Sequence, residues 1–166
     1  MPNRIENTAI IQMDVKIGAH CYIGHFTFIR PRVIIGDHTE IRAHVVVAAD
    51  AKIGSYTNIN QFTNICRDTI IEDYVFIGPG VIMTNTKKIA FRRDYDDISQ
   101  APWIRYGAMI GGGTTICPGV TIGENSSIGA GSVVTKSTEP GYLYFGNPAK
   151  KIRKLTPEEI LKKISM

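Results

Sequence analysis

An aliphatic residue returns at every sixth position through the first half of the chain: Ile5, Ile11, Ile17, Ile23, Ile29, Ile35, Ile41, Val47, Ile53, Ile59, Ile65, Ile71 and Ile77. Four residues beyond each one from Ile17 onward stands something small or β-branched, in the series Cys21, Thr27, Val33, Thr39, Val45, Ala51, Thr57, Thr63, Thr69, Val75 and Val81. Such a period fits neither the roughly 3.6-residue turn of a helix nor the two-residue alternation of a strand. Each hexad is therefore read as one short strand plus one corner, and the chain coils. With three sides to a turn, the aliphatic and its small partner face the axis, and successive coils stack as parallel sheet at about 4.8 Å per coil. β-Branched residues suit that interior, because their stiff χ1 loses little entropy on a pleated, buried surface. Glycine follows the aliphatic at Gly18, Gly24, Gly36, Gly54 and Gly78, where a sharp corner is expected to need positive φ. Arg30, Arg42, Asn60 and Glu72 at the same place show that not every corner needs it.

After Ile77 the register passes Met83, disappears, and returns as Ile104, Ile110, Ile116, Ile122, Ile128 and Val134. The step from Met83 to Ile104 is 21 residues, which is not a multiple of six, so the polar stretch from about 84 to 103 leaves the coil as an excursion. Loops thrown from a rigid scaffold are where repeat proteins place function. This one carries Lys87, Lys88, Arg92, Arg93, Asp94, Asp96 and Asp97, with Phe91, Tyr95 and Trp103 able to pack or stack. The pattern predicts an all-β parallel helix over 1–139 and a separate C-terminal segment over 140–166. In that segment Thr156 is a suitable N-cap, Pro157 a first helical residue and Glu159 a capping-box partner, which predicts a short helix capping the solenoid or a neighbour.

Composition narrows the picture. The 166 residues, 43% hydrophobic, suffice for one domain with a sizeable core. No apolar run approaches the ~18 residues of a membrane span and no basic-then-apolar leader is present, so a cytoplasmic location is expected. Cys21, Cys66 and Cys117 are odd in number and lack metal-type spacing, and are read as reduced and structural. The net charge of +4 concentrates around Lys87 to Arg93 and from Lys150 to Lys163. Such clusters hold phosphates or serve as solvated faces. Without aromatic interleaving or a recognition motif, nucleic acid is not an expected partner.

The hexads, the excursion and Gly146-Asn-Pro-Ala-Lys-Lys-Ile152 together resemble the hexapeptide-repeat acyltransferases over nearly the whole chain. The resemblance implies a left-handed parallel β-helix, against the usual right-handed crossover, and a homotrimer with sites between subunits. Three passages, Val75-Phe-Ile-Gly-Pro-Gly-Val-Ile-Met-Thr-Asn85, Ile110-Gly-Gly-Gly-Thr-Thr-Ile-Cys-Pro-Gly-Val-Thr-Ile-Gly123 and Ile128-Gly-Ala-Gly-Ser-Val-Val-Thr-Lys136, are similar to one branch. That branch N-acetylates nucleotide-linked amino sugars, dTDP- or UDP-3-amino sugars for bacterial surface polysaccharide and lipopolysaccharide. Its members often carry an acid after Thr-Asn and a Tyr-Pro-Arg-like segment; here Thr86 follows, then Lys87-Lys-Ile-Ala-Phe-Arg-Arg93. The departure bears on the sugar rather than the reaction. The resemblance implies Asn85 as the side chain orienting the amine, with Glu72 a neighbour, and acetyl-CoA as co-substrate without a metal. Gly111, Gly129 and Ala130 are the positions matching its pantetheine contacts, and Lys136, Lys150 and Arg153 the basic candidates for its phosphates. Arg92 and Arg93 are candidates for the acceptor's diphosphate, since a guanidinium fork matches phosphate oxygens.

Histidine placement separates the readings. A hydroxyl must lose its proton as it attacks a thioester, and a histidine base supplies that in O-acetylating relatives. Here the histidines are His20, His25, His38 and His44. His44 precedes Asn85 by 41 residues, a little over two coils, or roughly 11 Å along the axis. A neutral amine, with a pKa of roughly 8, attacks without strong base assistance and needs chiefly orientation and charge neutralisation. Three alternatives stand beside N-acetylation. One is O-acetylation. Another is a zinc protein resembling the γ-type carbonic anhydrases, since His38 lies one coil above His20 with His25 nearby; its ligands must converge at about 2.0 to 2.1 Å. The last is a non-catalytic scaffold.

Overall fold

The computed structural model describes residues 2–89, 91–92 and 99–161. Two-residue strands, an outward residue followed by the inward aliphatic, assemble into three parallel sheets. The first face stacks Arg4–Ile5, Tyr22–Ile23, Glu40–Ile41, Asn58–Ile59, Phe76–Ile77, Met109–Ile110 and Ser127–Ile128. The second runs from Ile10–Ile11 to Val133–Val134 and the third from Lys16–Ile17 to Thr121–Ile122. Ile5 pairs with Ile23 and Ile23 with Ile41, so three hexads close one turn of 18 residues as expected. Across the excursion the step becomes 33, with Ile71 on Ile104 and Ile77 on Ile110, and the register resumes without slipping. The architecture is an all-β parallel solenoid, consistent with the left-handed helix that the resemblance implies.

The interior is the aliphatic column with its small partners. Ile23 through Ile77 are buried, and so is every partner from Cys21 to Val81. Threonine is tolerated there because its hydroxyl finds a carbonyl in the next coil: Thr27 donates to Arg42, Thr39 to Gly54, Thr57 to Glu72 and Thr63 to Gly78, at 2.7–3.1 Å. The three cysteines are free, and burial pushes the thiols of Cys21 and Cys66 up, which keeps them in the unreactive form.

The corners differ from the expectation. Positive φ falls three residues after the aliphatic, on His20, Phe26, Arg32, His38, His44, Asp50, Tyr56, Phe62, Asp68 and Tyr74, not on the glycine that follows it. Those glycines answer to crowding instead. An added Cβ on Gly18 would lie 2.7 Å from the Asp37 amide nitrogen, and one on Gly36 2.6 Å from that of Ser55. The corner glycine is thus set by the coil above it.

The top is closed by an element with no hexad signal. Tyr142–Gly146 pairs with Ser127–Ile128 and turns back as the antiparallel strand Ala149–Lys154, through a cis Asn147-Pro148 bond. The helix expected from Thr156 is not seen among the described residues. Glu159 accepts from the Thr156 amide at 2.8 Å, so the capping box forms, but 156–161 makes turns only, and 162–166 lies outside the described residues.

Candidate functional site

The excursion leaves at the second corner, between the second and third faces, directly after Ile82–Met83. Its base is fastened on both sides. The Gln100 amide donates to the Asn85 carbonyl at 2.7 Å, Thr86 and Ser99 form an antiparallel bridge, and the Gly119 amide donates to the Gln100 carbonyl at 2.8 Å. The backbone of Asn85 is therefore fixed to the coil above while its side chain is half-buried at the root of the loop. Arg92 is exposed, with its guanidinium 5.4 Å from the centre of the Phe91 ring. Arg93 and Asp94 to Asp97 lie outside the described residues.

Beneath this root, on the same corner, Asp50 ties Arg32 and Arg67 together. Hydrogen bonds from Arg32, then Arg67, hold its carboxyl down at about 2. A folded value below the unfolded one contributes stability that is complete above roughly pH 4 and is lost as pH falls through the folded value. Asp50→Asn is accordingly expected to lower the melting temperature at pH 7 and to match the unsubstituted protein near pH 2. Melts followed by circular dichroism at pH 7, 4 and 2 check it.

Glu72 does not join Asn85 within the chain. It sits on the third corner, where its carboxylate accepts from the Tyr106 amide at 2.8 Å and lies 2.7 Å from Nε of Arg105. The Arg105 guanidinium in turn covers the Trp103 ring at 4.4 Å. Glu72 joins two coils across the excursion.

The histidines occupy lower coils. His20 and His38 stack on the third corner at 4.7 Å, and His44 lies between Phe26 and Phe62 on the first. His25, also on the first corner, meets the Thr8 hydroxyl at 2.9 Å and the Glu6 carboxylate at 3.3 Å. His25 is thus on a different corner from His20 and His38. Among the described residues no three His, Cys, Asp or Glu gather closely enough to hold a metal.

The first corner of the late coils is stripped of side chains: Gly78-Pro79-Gly80, Gly111-Gly112-Gly113 and Gly129-Ala130-Gly131 stack in turn. The amides of Gly111 and Gly129 are spent inside the solenoid on the carbonyls of Ile128 and Tyr144. The Ala130 amide donates to no described residue. A Cβ on Gly111 would meet the Ala130 nitrogen at 2.5 Å, and one on Gly129 would strike the Phe145 ring. Lys136 and Lys150 are exposed near this end. Arg153 is already engaged, both of its terminal nitrogens reaching the Glu159 carboxylate at 2.7 Å. Gly80, Gly113 and Gly131 escaped the hexad reading; their signal is glycine three residues after the aliphatic, where lower coils carry Phe26, His44 and Phe62.

The family described as bacterial transferase hexapeptide (six repeats) matches residues 4–49 and 102–136. Over those two stretches the chain carries the repeat of the hexapeptide transferases. Among its relatives is a Staphylococcus aureus (strain MRSA252) protein provisionally named an acetyltransferase, 44% identical over 77 residues, 45% of this chain and 39% of that one. The chain thus spans about two-fifths of the length of that curated relative. A hexapeptide-repeat acetyltransferase from Vibrio cholerae, complexed with acetyl coenzyme A, is 28% identical with a TM-score of 0.54, covering 81% of this chain and 70% of that one. AntD, an N-acyltransferase from Bacillus cereus in complex with dTDP and coenzyme A, shares the fold at a TM-score of 0.70 and 20% identity, covering 94% of this chain and 85% of that one. Asn85 lies between the two matched stretches of this hexapeptide-repeat chain.

Proposed function

We propose that the protein moves acetyl from acetyl-CoA to the amine of a nucleotide-linked amino sugar, a dTDP- or UDP-3-amino sugar used for bacterial surface polysaccharide. It acts as a cytoplasmic homotrimer with sites between subunits. The observation that carries the reading is the root of the excursion: a fastened, half-buried Asn85 beside polar loop residues, with every histidine of the chain in lower coils. Asn85 orients the amine. The bare late-coil corner, with the Ala130 amide, takes the pantetheine, and Lys136 and Lys150 meet the coenzyme's phosphates. Gly111 and Gly129 let the coils and the hairpin approach, and Arg153 braces the hairpin against Glu159. Arg92 and Arg93 serve the acceptor's diphosphate, and Glu72 positions the Tyr106 corner from a distance. The nucleotide bound by AntD and the acetyl coenzyme A bound by the Vibrio protein support this reading by likeness. Among the described residues no helix is long and apolar enough to cross a membrane.

The reading predicts that no histidine acts as base. Single replacement of His20, His25, His38 or His44 by asparagine, which suits the positive φ at His20, His38 and His44, is expected to leave turnover within about twofold. Loss of the roughly 10²- to 10⁴-fold that general-base catalysis provides in any of the four would move the reaction to a hydroxyl acceptor.

A further inference from the structure

Two ladders of stacked rings climb the solenoid, and they end differently. On the third corner His20, His38, Tyr56 and Tyr74 stack at 4.7–4.9 Å, and Tyr106 closes the top by lying across Tyr74 at 5.5 Å and 58°. On the first corner Phe26, His44 and Phe62 stack at 5.1 Å with their planes within 20°. Among the described residues no ring covers Phe62 from above. The matching residue of the next coil is Gly80, where an added Cβ would find only the Gly113 amide, 4.0 Å away. Phe62 is 66% exposed.

We propose that the upper face of Phe62 is the stacking platform for a nucleobase, that of the acceptor nucleotide. The proposal rests on the acceptor assigned above and adds the residue that reads its base. The corner already holds flat rings face to face, and it stops doing so one coil below the excursion. Gly80 and Asn85 belong to the same coil and are five residues apart, roughly 16 Å along an extended strand. A base on Phe62 and an amine at Asn85 place the diphosphate of an extended nucleotide sugar over the second face, past the outward positions of Asn64 and Ile82, which are paired neighbours there. Stacking suits this place because every base presents a π face, and the exposed Phe62 ring offers one in return.

Calorimetric titration of the full chain with UDP, dTDP, GDP and coenzyme A, before and after substitution, tests the platform. Phe62→Ala is expected to weaken the nucleoside diphosphate that binds by about 10-fold or more, Phe62→Trp to retain it, and coenzyme A binding to stay within about twofold. Phe26→Ala, at the foot of the same ladder and similarly exposed at 60%, removes a ring from the ladder without touching the platform, and is expected to change none of them. Weakening of coenzyme A instead would keep the platform and assign it to the coenzyme's adenine. Unchanged affinities in Phe62→Ala overturn the platform alone. A failure of the unsubstituted protein to bind any nucleoside diphosphate while it binds coenzyme A, with coenzyme A affinity intact in Phe62→Ala, overturns the platform and the acceptor assignment together.

Discussion

Asn85→Ala is expected to lower turnover of the amino-sugar acceptor by roughly 100-fold, the loss that accompanies a reacting group held about 1 Å out of place. Coenzyme A affinity is expected to stay within a few-fold. The separation follows from how the residue is held. Its carbonyl receives the Gln100 amide and the neighbouring Thr86 bridges Ser99, so the root of the excursion is fixed by backbone groups that the substitution leaves intact. What the alanine variant loses is the side-chain amide alone. An interaction made chiefly in the transition state appears as a fall in kcat and kcat/KM together, whereas uniform binding appears in KM. Steady-state rates with both substrates varied distinguish the two. A variant with unchanged kcat would place the reaction elsewhere on the solenoid.

Gly54→Ala is expected to cost about 2–3 kcal/mol, the scale of a forced overpacking, although alanine is among the smallest changes possible. The added carbon would lie 2.7 Å from both the Asp73 amide nitrogen and the Glu72 carbonyl carbon. Asp73 cannot swing away freely, because its carboxylate accepts from the Ser55 amide at 2.7 Å. Asp68→Gly supplies the contrast. Asp68 has a φ of 61° and an exposed side chain, so glycine relieves left-handed strain while loosening the unfolded chain, and a net change under about 1 kcal/mol is expected. Urea denaturation of both variants checks the pair. Equal effects would mean that the crowding between coils is not what fixes glycine at the corner.

The period of Ile5 to Ile77 was enough to read a coil of short strands and its interior, because a buried position repeated at every strand marks the sequence directly, whereas the three strands of each turn are shown by the 18-residue pairing of Ile5 with Ile23 and Ile23 with Ile41. The excursion was legible for the same reason, as a break in that period. The corners were harder. Gly18 and Gly54 look like positions needing positive φ, but their constraint comes from a chain segment a full coil later, which a local reading does not weigh. The hairpin of Tyr142–Gly146 and Ala149–Lys154 carries no hexad, so the period of the chain does not mark it. Of the candidate site, Asn85 entered through the resemblance rather than through any spacing, while the engagement of Glu72 with the Tyr106 corner and of Arg153 with Glu159 depends on side-chain pairing that spacing does not encode.

The central claim is acyl transfer to an amine without a histidine base, and thiol release from acetyl-CoA tests it most directly. The acceptors are dTDP- and UDP-linked 3-amino and 4-amino sugars, each set beside the sugar bearing a hydroxyl at the same carbon. Release confined to amino sugars, with the acetylated amine identified by mass spectrometry, is the predicted result and names the nucleotide. Release with the hydroxyl sugars, or none from folded protein across the panel, would contradict it.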